Sequence, residues 1–190
     1  RIICRAGGSA WLERSADKEA EESPMIDLQN LMPTMTSRGD QIVQELEGDC
    51  ITLHYSRLRG KPRPLKIRRW VDKDLFLIGV TIWACEGTRR RPYELEVSNS
   101  SDVIAKLFVQ LLEELGLAEN IKLRLHAPSI HYERLQEHWK TTLGMGNFTK
   151  PIITQGHVRN VENGIIHIKV YSALARELFR YWAERLPQLL

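Results

Sequence analysis

The sequence predicts an α+β domain in which a mainly antiparallel sheet is covered by helices on one face. Three observations carry that expectation. Apolar residues recur with period two in short stretches and with helical spacing in longer ones, in the order hairpin, apolar helix, strand, helix, strand, helix, two strands, helix. Few of these successions form regular βαβ units, which argues against a parallel sheet wound by crossovers. Apolar residues make up 43% of 190 positions, enough for the core of one ordinary domain.

Three segments divide the chain. Residues 1–24 are expected to be disordered or foreign: Gly7, Gly8 and Ser9 are flexible, residues 16–23 are small or charged, and Met25 is a candidate natural start. Residues 25–71 form an N-terminal extension, in which Gln41 to Leu46 reads as one or two helical turns. Cys50 to Ser56 places Ile51, Leu53 and Tyr55 on one face of a strand, and Pro64 to Val71 alternates through Leu65 and Ile67. Gly60 and Pro62 supply turn chemistry between them. Residues 57–69 of this hairpin carry Arg57, Arg59, Lys61, Arg63, Lys66, Arg68 and Arg69 with no acid. Such uncompensated charge points to phosphate contact, against the blander alternative of a solvated turn.

Residues 72–190 form the main domain. From Leu75 to Cys85 the chain runs without a charge, then reads Glu86, Gly87, Thr88, Arg89, Arg90 and Arg91. The predicted helix, Asp74 to Cys85, starts at Asp72 or Asp74 as cap and stops at Gly87, expected as a left-handed residue. Its apolar character extends right around the axis, so it needs neighbours on every side; one domain covers one face, and a second subunit would cover the other. Gly79 and Ala84 leave room for close approach of another backbone. Tyr93 to Val97 alternates as a strand, and residues 98–101 turn into a helix over Asp102 to Leu115. Ile121 to Leu125 is a strand, His131 to Leu143 a helix, and Ile152 to Thr154 and Ile165 to Tyr171 two strands. Gly156 and Asn163-Gly164 between the last two give a hairpin signature. Ala173 to Leu186 is the closing helix. The outward sheet face is expected to carry Lys122, Arg124, Lys150, Gln155, His157, Arg159, His167 and Lys169.

Charge and motifs narrow the function. Residues 1–49 hold five basic and ten acidic residues, while residues 50–190 hold 22 basic and 14 acidic. The basic excess therefore lies in the folded part and points to a polyanionic partner. The cysteines Cys4, Cys50 and Cys85 form no CxxC pair, which disfavours structural zinc and suits a reducing, cytoplasmic setting. Cys85 reads as a packed thiol rather than a nucleophile. No uncharged run reaches bilayer length, so no membrane partner is expected. GxxxxGK[ST], GxSxG and HExxH are all absent, and His126 and His131 read as surface or core residues before metal ligands.

The segment FLIGVTIWACEG resembles the signature helix of the LAGLIDADG homing endonucleases. Residues 79–87 lie over the nine-residue signature, with Glu86 at the position of the metal-binding acid and Gly87 at the final glycine. Thr81 stands where a small glycine is usual, and Ala84 and Cys85 replace Asp-Ala. Downstream, YELEVSNSSDVIAKLFVQLLEELG, KLRLHAPSIHYERLQEHWKTTLGMGNFTKPII and IIHIKVYSALARELFRYW resemble later elements of stand-alone relatives, so the likeness spans roughly residues 64–186.

The resemblance implies a saddle-like sheet seated in the DNA major groove and a homodimer in which the two 75–85 helices pack with their acids together. It implies a site-specific double-strand DNA endonuclease in which Glu86 binds Mg²⁺ and Lys169, near the start of the last helix, polarises water; Lys150 is a second candidate for that role. Arg89, Arg90 and Arg91 would position phosphates, beside the hairpin cations and Lys122, Arg124, Lys150 and Arg159. Glu86 paired with one of the adjacent arginines is the simpler alternative. A non-cleaving, regulatory DNA-binding protein on the same scaffold is the rival function.

Overall fold

The computed structural model describes residues 24–56, 63–88, 91–155 and 162–189. Within them the chain is α+β, and all its sheet pairings but one are antiparallel. Strand β1 (Met25–Asp27) pairs with β5 (Trp70–Asp72). Strands β2 (Ile42–Glu47), β3 (Cys50–Tyr55) and β4 (Leu65–Arg68) form a meander. The main sheet has the order β6-β9-β7-β8, built from β6 (Leu95–Asn99), β7 (Ile121–Pro128), β8 (Ile152–Thr154) and β9 (Ile165–Val170). Four α-helices, α1 (Lys73–Glu86), α2 (Asp102–Glu114), α3 (Tyr132–Leu143) and α4 (Ala173–Leu189), and three short 3-10 helices complete the regular elements of the described residues.

Period-two patterning explains the layering. Along β7, Ile121, Leu123, Leu125 and Ala127 are buried while the alternate residues Lys122, Arg124, His126 and Pro128 are half-exposed. Leu95 and Val97 of β6 and Ile166 and Ile168 of β9 join that buried face. Helices α1, α2 and α4 pack on β6, and α3 on β7, so the helices share one side of the sheet. Ile51, Leu53, Leu65 and Ile67 of the meander enter the same core, which therefore draws on residues both before and after position 72.

The helix starts and stops follow capping chemistry. Asp72 accepts a hydrogen bond from the Leu75 N–H at 2.7 Å. Gly116 and Gly144 end α2 and α3 with φ of 79° and 66°, where a side chain would be strained. Gly87 behaves differently from the left-handed stop expected of it. Its φ is −71° and ψ 138°, extended backbone. A Cβ there would lie 2.3 Å from the Trp83 carbonyl oxygen and 2.6 Å from Trp83 Cδ1. The glycine is required by close approach, and its neighbour Thr88 then bonds along the edge of β6, N to Glu96 O, at 3.0 Å.

Three further expectations are corrected. The stretch expected as helical turns, Gln41 to Leu46, is extended instead: Gln41 bridges Met35, and from Ile42 on β2 pairs with β3, from Ile42↔Tyr55 to Glu47↔Cys50, around a two-residue turn whose Gly48 has φ of 59°. Only Ile42 of β2 is buried, so the periodic signal was faint. The run from Pro64 to Val71 breaks at Arg69 into β4 and β5, which join different sheets. β8 and β9 do not form a hairpin; β7 lies between them and pairs with β8 in parallel.

α1 crosses the centre of the helical layer, against α2 and α4. Phe76, Gly79, Val80 and Trp83 face inwards. The close approach that Gly79 permits is to α2 of the same chain: a Cβ would fall 2.2 Å from Leu111 Cδ2 and 2.9 Å from Leu111 Cβ. Gly79→Ala gains about 1 kcal/mol of helix propensity but forces buried Leu111 to move, an overpacking cost of about 1–3 kcal/mol. We expect a net loss of about 1 kcal/mol, read as a lower urea midpoint; a raised midpoint would show that α1 and α2 can part without cost. No described helix is long and apolar enough to cross a membrane.

Candidate nucleic-acid interface

The face of the main sheet opposite the helices carries the ionisable residues. Pairing register sets Glu96 of β6 beside Lys169 of β9 and Lys169 beside Lys122 of β7. The next row on that face reads Ser98, His167, Arg124. Acids thus sit towards β6 and cations towards β7.

The β6 side is a closed network. Lys169 is 3% exposed, with Nζ 3.1 Å from Glu96 Oε2 and 3.4 Å from Glu94 Oε1. His167 Nδ1 lies 2.8 Å from Glu96 Oε1 and 2.7 Å from Ser98 Oγ. Arg91 Nη1 donates to Glu94 Oε1 at 2.9 Å. Burial would raise the Glu96 carboxyl, but hydrogen bonds from His167 and Lys169, with the Lys169 charge, outweigh it and bring the pKa down to about 2. Burial, with the neighbouring His167 and Arg124 charges, pushes His126 below its ordinary value. Charge-assisted bonds of this kind are what keep a buried ammonium and two carboxylates tolerable.

The β7 side is open. Lys122, Arg124 and the exposed Lys150 have no carboxylate partner among the described residues, and neither has Arg63 before β4. Arg124 Nε, His126 Nε2, His167 Nε2 and Thr154 Oγ1 are buried without a hydrogen bond. Unmade bonds at buried polar atoms each cost about 1–3 kcal/mol. The imidazoles of His126 and His167 stack with centroids 6.3 Å apart.

The other predicted cations are distributed unevenly. Lys66 Nζ pairs with Glu47 at 3.0 Å, and Arg68 lies 4.0 Å from Glu114. Arg69 is structural: its Nε donates to Asp27 at 2.9 Å, and its guanidinium sits 5.0 Å from the Trp70 ring centroid. Arg57, Arg59, Lys61, Arg89, Arg90, His157 and Arg159 fall outside the described residues.

Glu86 ends α1 exposed and has no ion-pair partner among the described residues; Arg91, one of its three candidate partners, pairs with Glu94 instead. The bridge from Gly87 to Val97 holds the end of α1 against the free edge of β6. Outward from this helix, Ile78 is 44% exposed, Thr81 and Cys85 are exposed, and Leu75 and Ile82 are half-buried. Among the described residues no three His, Cys, Asp or Glu side chains are grouped to hold a metal ion.

Sequence reasoning did not foresee the Glu94–Glu96–Lys169 network. The signal was present as two acids flanking Leu95 and one lysine among the apolar residues of β9, but only the register joins them. It also missed Glu177 of α4, whose Oε2 accepts from the Ser37 N–H at 2.9 Å and whose Oε1 accepts from the Ser37 hydroxyl at 3.1 Å. Burial opposes ionisation of Glu177, yet the Ser37 backbone bond and Arg180 hold its pKa below the ordinary value. Comparison of the chain with family models, with curated proteins and with solved structures returns no match.

Proposed function

We propose that this chain is a homodimeric, Mg²⁺-dependent endonuclease of homing-endonuclease type, cutting double-stranded DNA at a specific site in the cytoplasm. The observation that carries the reading is the state of α1. One side is packed into the chain's own core, the other presents Leu75, Ile78, Ile82 and Cys85, and the helix ends in Glu86, an exposed carboxylate with no ion-pair partner among the described residues. Two such helices meeting on a twofold axis would bury the apolar stripe and bring two acids together.

A single Glu86 offers one hard oxygen ligand, too few for Mg²⁺ alone; a pair, with backbone carbonyls and DNA phosphates, suits that cation. Bound there, Mg²⁺ would supply water activation and neutralise charge on the phosphate. The chain's own part is to hold the two carboxylates in place. Lys122, Arg124, Lys150 and Arg63 lack acidic partners among the described residues and would engage the DNA backbone. The saddle reading gains support from a sheet with helices on one face and Lys122 and Arg124 on the other.

Lys169 favours a second reading. An ammonium held between Glu94 and Glu96 and nearly excluded from solvent is poorly placed to polarise water. A protein with this site would bind DNA and leave it uncut.

The test uses the parent and Glu86→Gln with a duplex library and Mg²⁺. Cutting by the parent and a loss of at least about 100-fold in Glu86→Gln, with binding kept, supports the nuclease; a loss of that size matches removal of one charge-stabilising group. Binding by both without cutting selects the second reading. Affinity that hardly changes between low and moderate salt would overturn both, because phosphate contacts release counterions. Ile78→Glu should convert the dimer to monomer in sedimentation without unfolding, since Ile78 is exposed in the single chain; a dimer that survives this charge would remove α1 from the interface.

A further inference from the structure

A cleft of about 660 Å³ opens where β4 faces the junction of β9 and α4. Ligand sites commonly span roughly 300–1,000 Å³. Its floor is apolar, from Leu65, Ile67, Leu115 and Val170. Tyr93 and Tyr171 stand at its rim, 71% and 61% exposed, and neither makes a hydrogen bond among the described residues. Arg63, Lys66 and Arg68 line it, and no carboxylate does among the described residues. Lys66 is drawn to Glu47 and Arg68 loosely to Glu114, and Arg63 has no acidic partner among the described residues. The first turn of α4 also opens onto the cleft through Ser172, Ala173 and Leu174. Ser172 Oγ accepts from the Ala175 N–H at 3.1 Å, so its hydroxyl hydrogen remains available to donate.

These features ask for two chemistries in one ligand. An apolar floor between exposed tyrosines suits a flat aromatic ring, because a base stacks on a tyrosine face whatever its identity. A lining with three cations and no carboxylate among the described residues, beside the positive end of a helix of 17 residues, suits a phosphate. A bare phosphate would leave the tyrosines and floor unused, and a neutral aromatic would leave the cations unused. We propose that this cleft binds a nucleotide, with its base against Tyr93 or Tyr171 and its phosphate on Arg63, Arg68 and the first turn of α4. The ligand could be a free nucleotide or one nucleotide of a single strand. The cleft contains no residue of α1, so this site stands apart from Glu86 and goes beyond cleavage of a duplex.

Calorimetric titration of the full chain tests it with adenosine 5′-monophosphate, adenosine, inorganic phosphate and a short oligothymidylate. The monophosphate should bind about tenfold or more tightly than either adenosine or phosphate. Tyr171→Ala should weaken it by about tenfold, within the range of one lost base–tyrosine stack, and Arg63→Ala should weaken it by a similar factor. Both residues are exposed, so an unchanged melting temperature will show that the fold persists. An oligothymidylate much tighter than the monophosphate assigns the site to a strand; equal affinity assigns it to free nucleotide. Phosphate binding as well as the monophosphate, unchanged affinity in Tyr171→Ala together with Tyr93→Ala, or no saturation by any probe at millimolar concentration would each overturn the proposal. Glu86→Gln should leave monophosphate affinity as it is, so failure of the nuclease reading and failure of this one are read separately.

Discussion

Phe179→Ala is expected to cost about 4–5 kcal/mol of folding stability. Phe179 is buried where three helices meet: its ring centroid lies 6.0 Å from Trp83 of α1, 5.8 Å from Phe108 of α2 and 5.3 Å from Trp182 of α4. Truncating a buried phenylalanine costs about 3–5 kcal/mol through lost transfer energy and the cavity left behind. The lost edge-to-face pairs add about 0.5–1.5 kcal/mol each, so the upper end of the range applies. Domains are stable by only about 5–15 kcal/mol, so much of the margin disappears. For a chain of this size the melting temperature should fall by about 10–15 °C. The effect should reach Glu86 too, because Trp83 packs directly under Gly87; partial melting of the end of α1 would appear as early amide exchange at residues 83–88. A loss below about 1 kcal/mol would mean that the aromatic cluster repacks around the gap. Phe179→Leu, which keeps most of the volume, should lose much less.

What the sequence made legible follows from which forces act locally. The sequence predicts the apolar helix over 74–85 and it is found at Lys73–Glu86, because an uncharged run with Asp72 before it and a glycine after it leaves little freedom. α2 begins at Asp102 as expected, after a turn in which Asn99 Oδ1 accepts from the Ser101 N–H at 2.8 Å. β7 was legible because alternation over eight residues is a strong signal. β2 was not, since an edge strand with a single buried residue takes its conformation from β3 rather than from its own pattern. The order β6-β9-β7-β8 was beyond reach for the same reason: Asn163-Gly164 supplies a turn, with Gly164 at φ of 68°, but a turn does not say which strand comes next to which. At the candidate site, Glu86 and the cations of β7 were visible as residue types in a pattern. The fate of Lys169 was not, because its partners Glu94 and Glu96 lie more than seventy positions away and only strand pairing brings them within reach.

Lys169→Met should destabilise the protein by about 3–5 kcal/mol at neutral pH, the usual consequence of removing one member of a buried ion network. Methionine fills the volume, so the loss reports charge rather than a cavity. Among the described residues, two carboxylates would be left with Arg91 on Glu94, and His167 and the Ser98 hydroxyl on Glu96. The pH dependence separates this from simple misfolding. In the parent, the Glu96 carboxyl is lowered from 4.5 to about 2, so its contribution, on the order of 3 kcal/mol, is full above pH 4.5 and is lost as pH falls towards 2. The lowered pKa of His126 has the same sign: the folded state resists protonation there, and stability declines as pH falls below 6.5. Without Lys169 the Glu96 carboxyl should titrate much nearer its ordinary value, and a protonated acid no longer needs a cation. The difference between variant and parent should therefore be greatest near pH 7 and shrink below pH 4, measured as urea midpoints across that range. A difference that stays constant with pH would place the cost in packing. Lys169→Arg bears on function as well. If it restores stability and DNA binding while cutting is absent in parent and variant alike, Lys169 is a positioning residue of a protein that holds DNA without cleaving it.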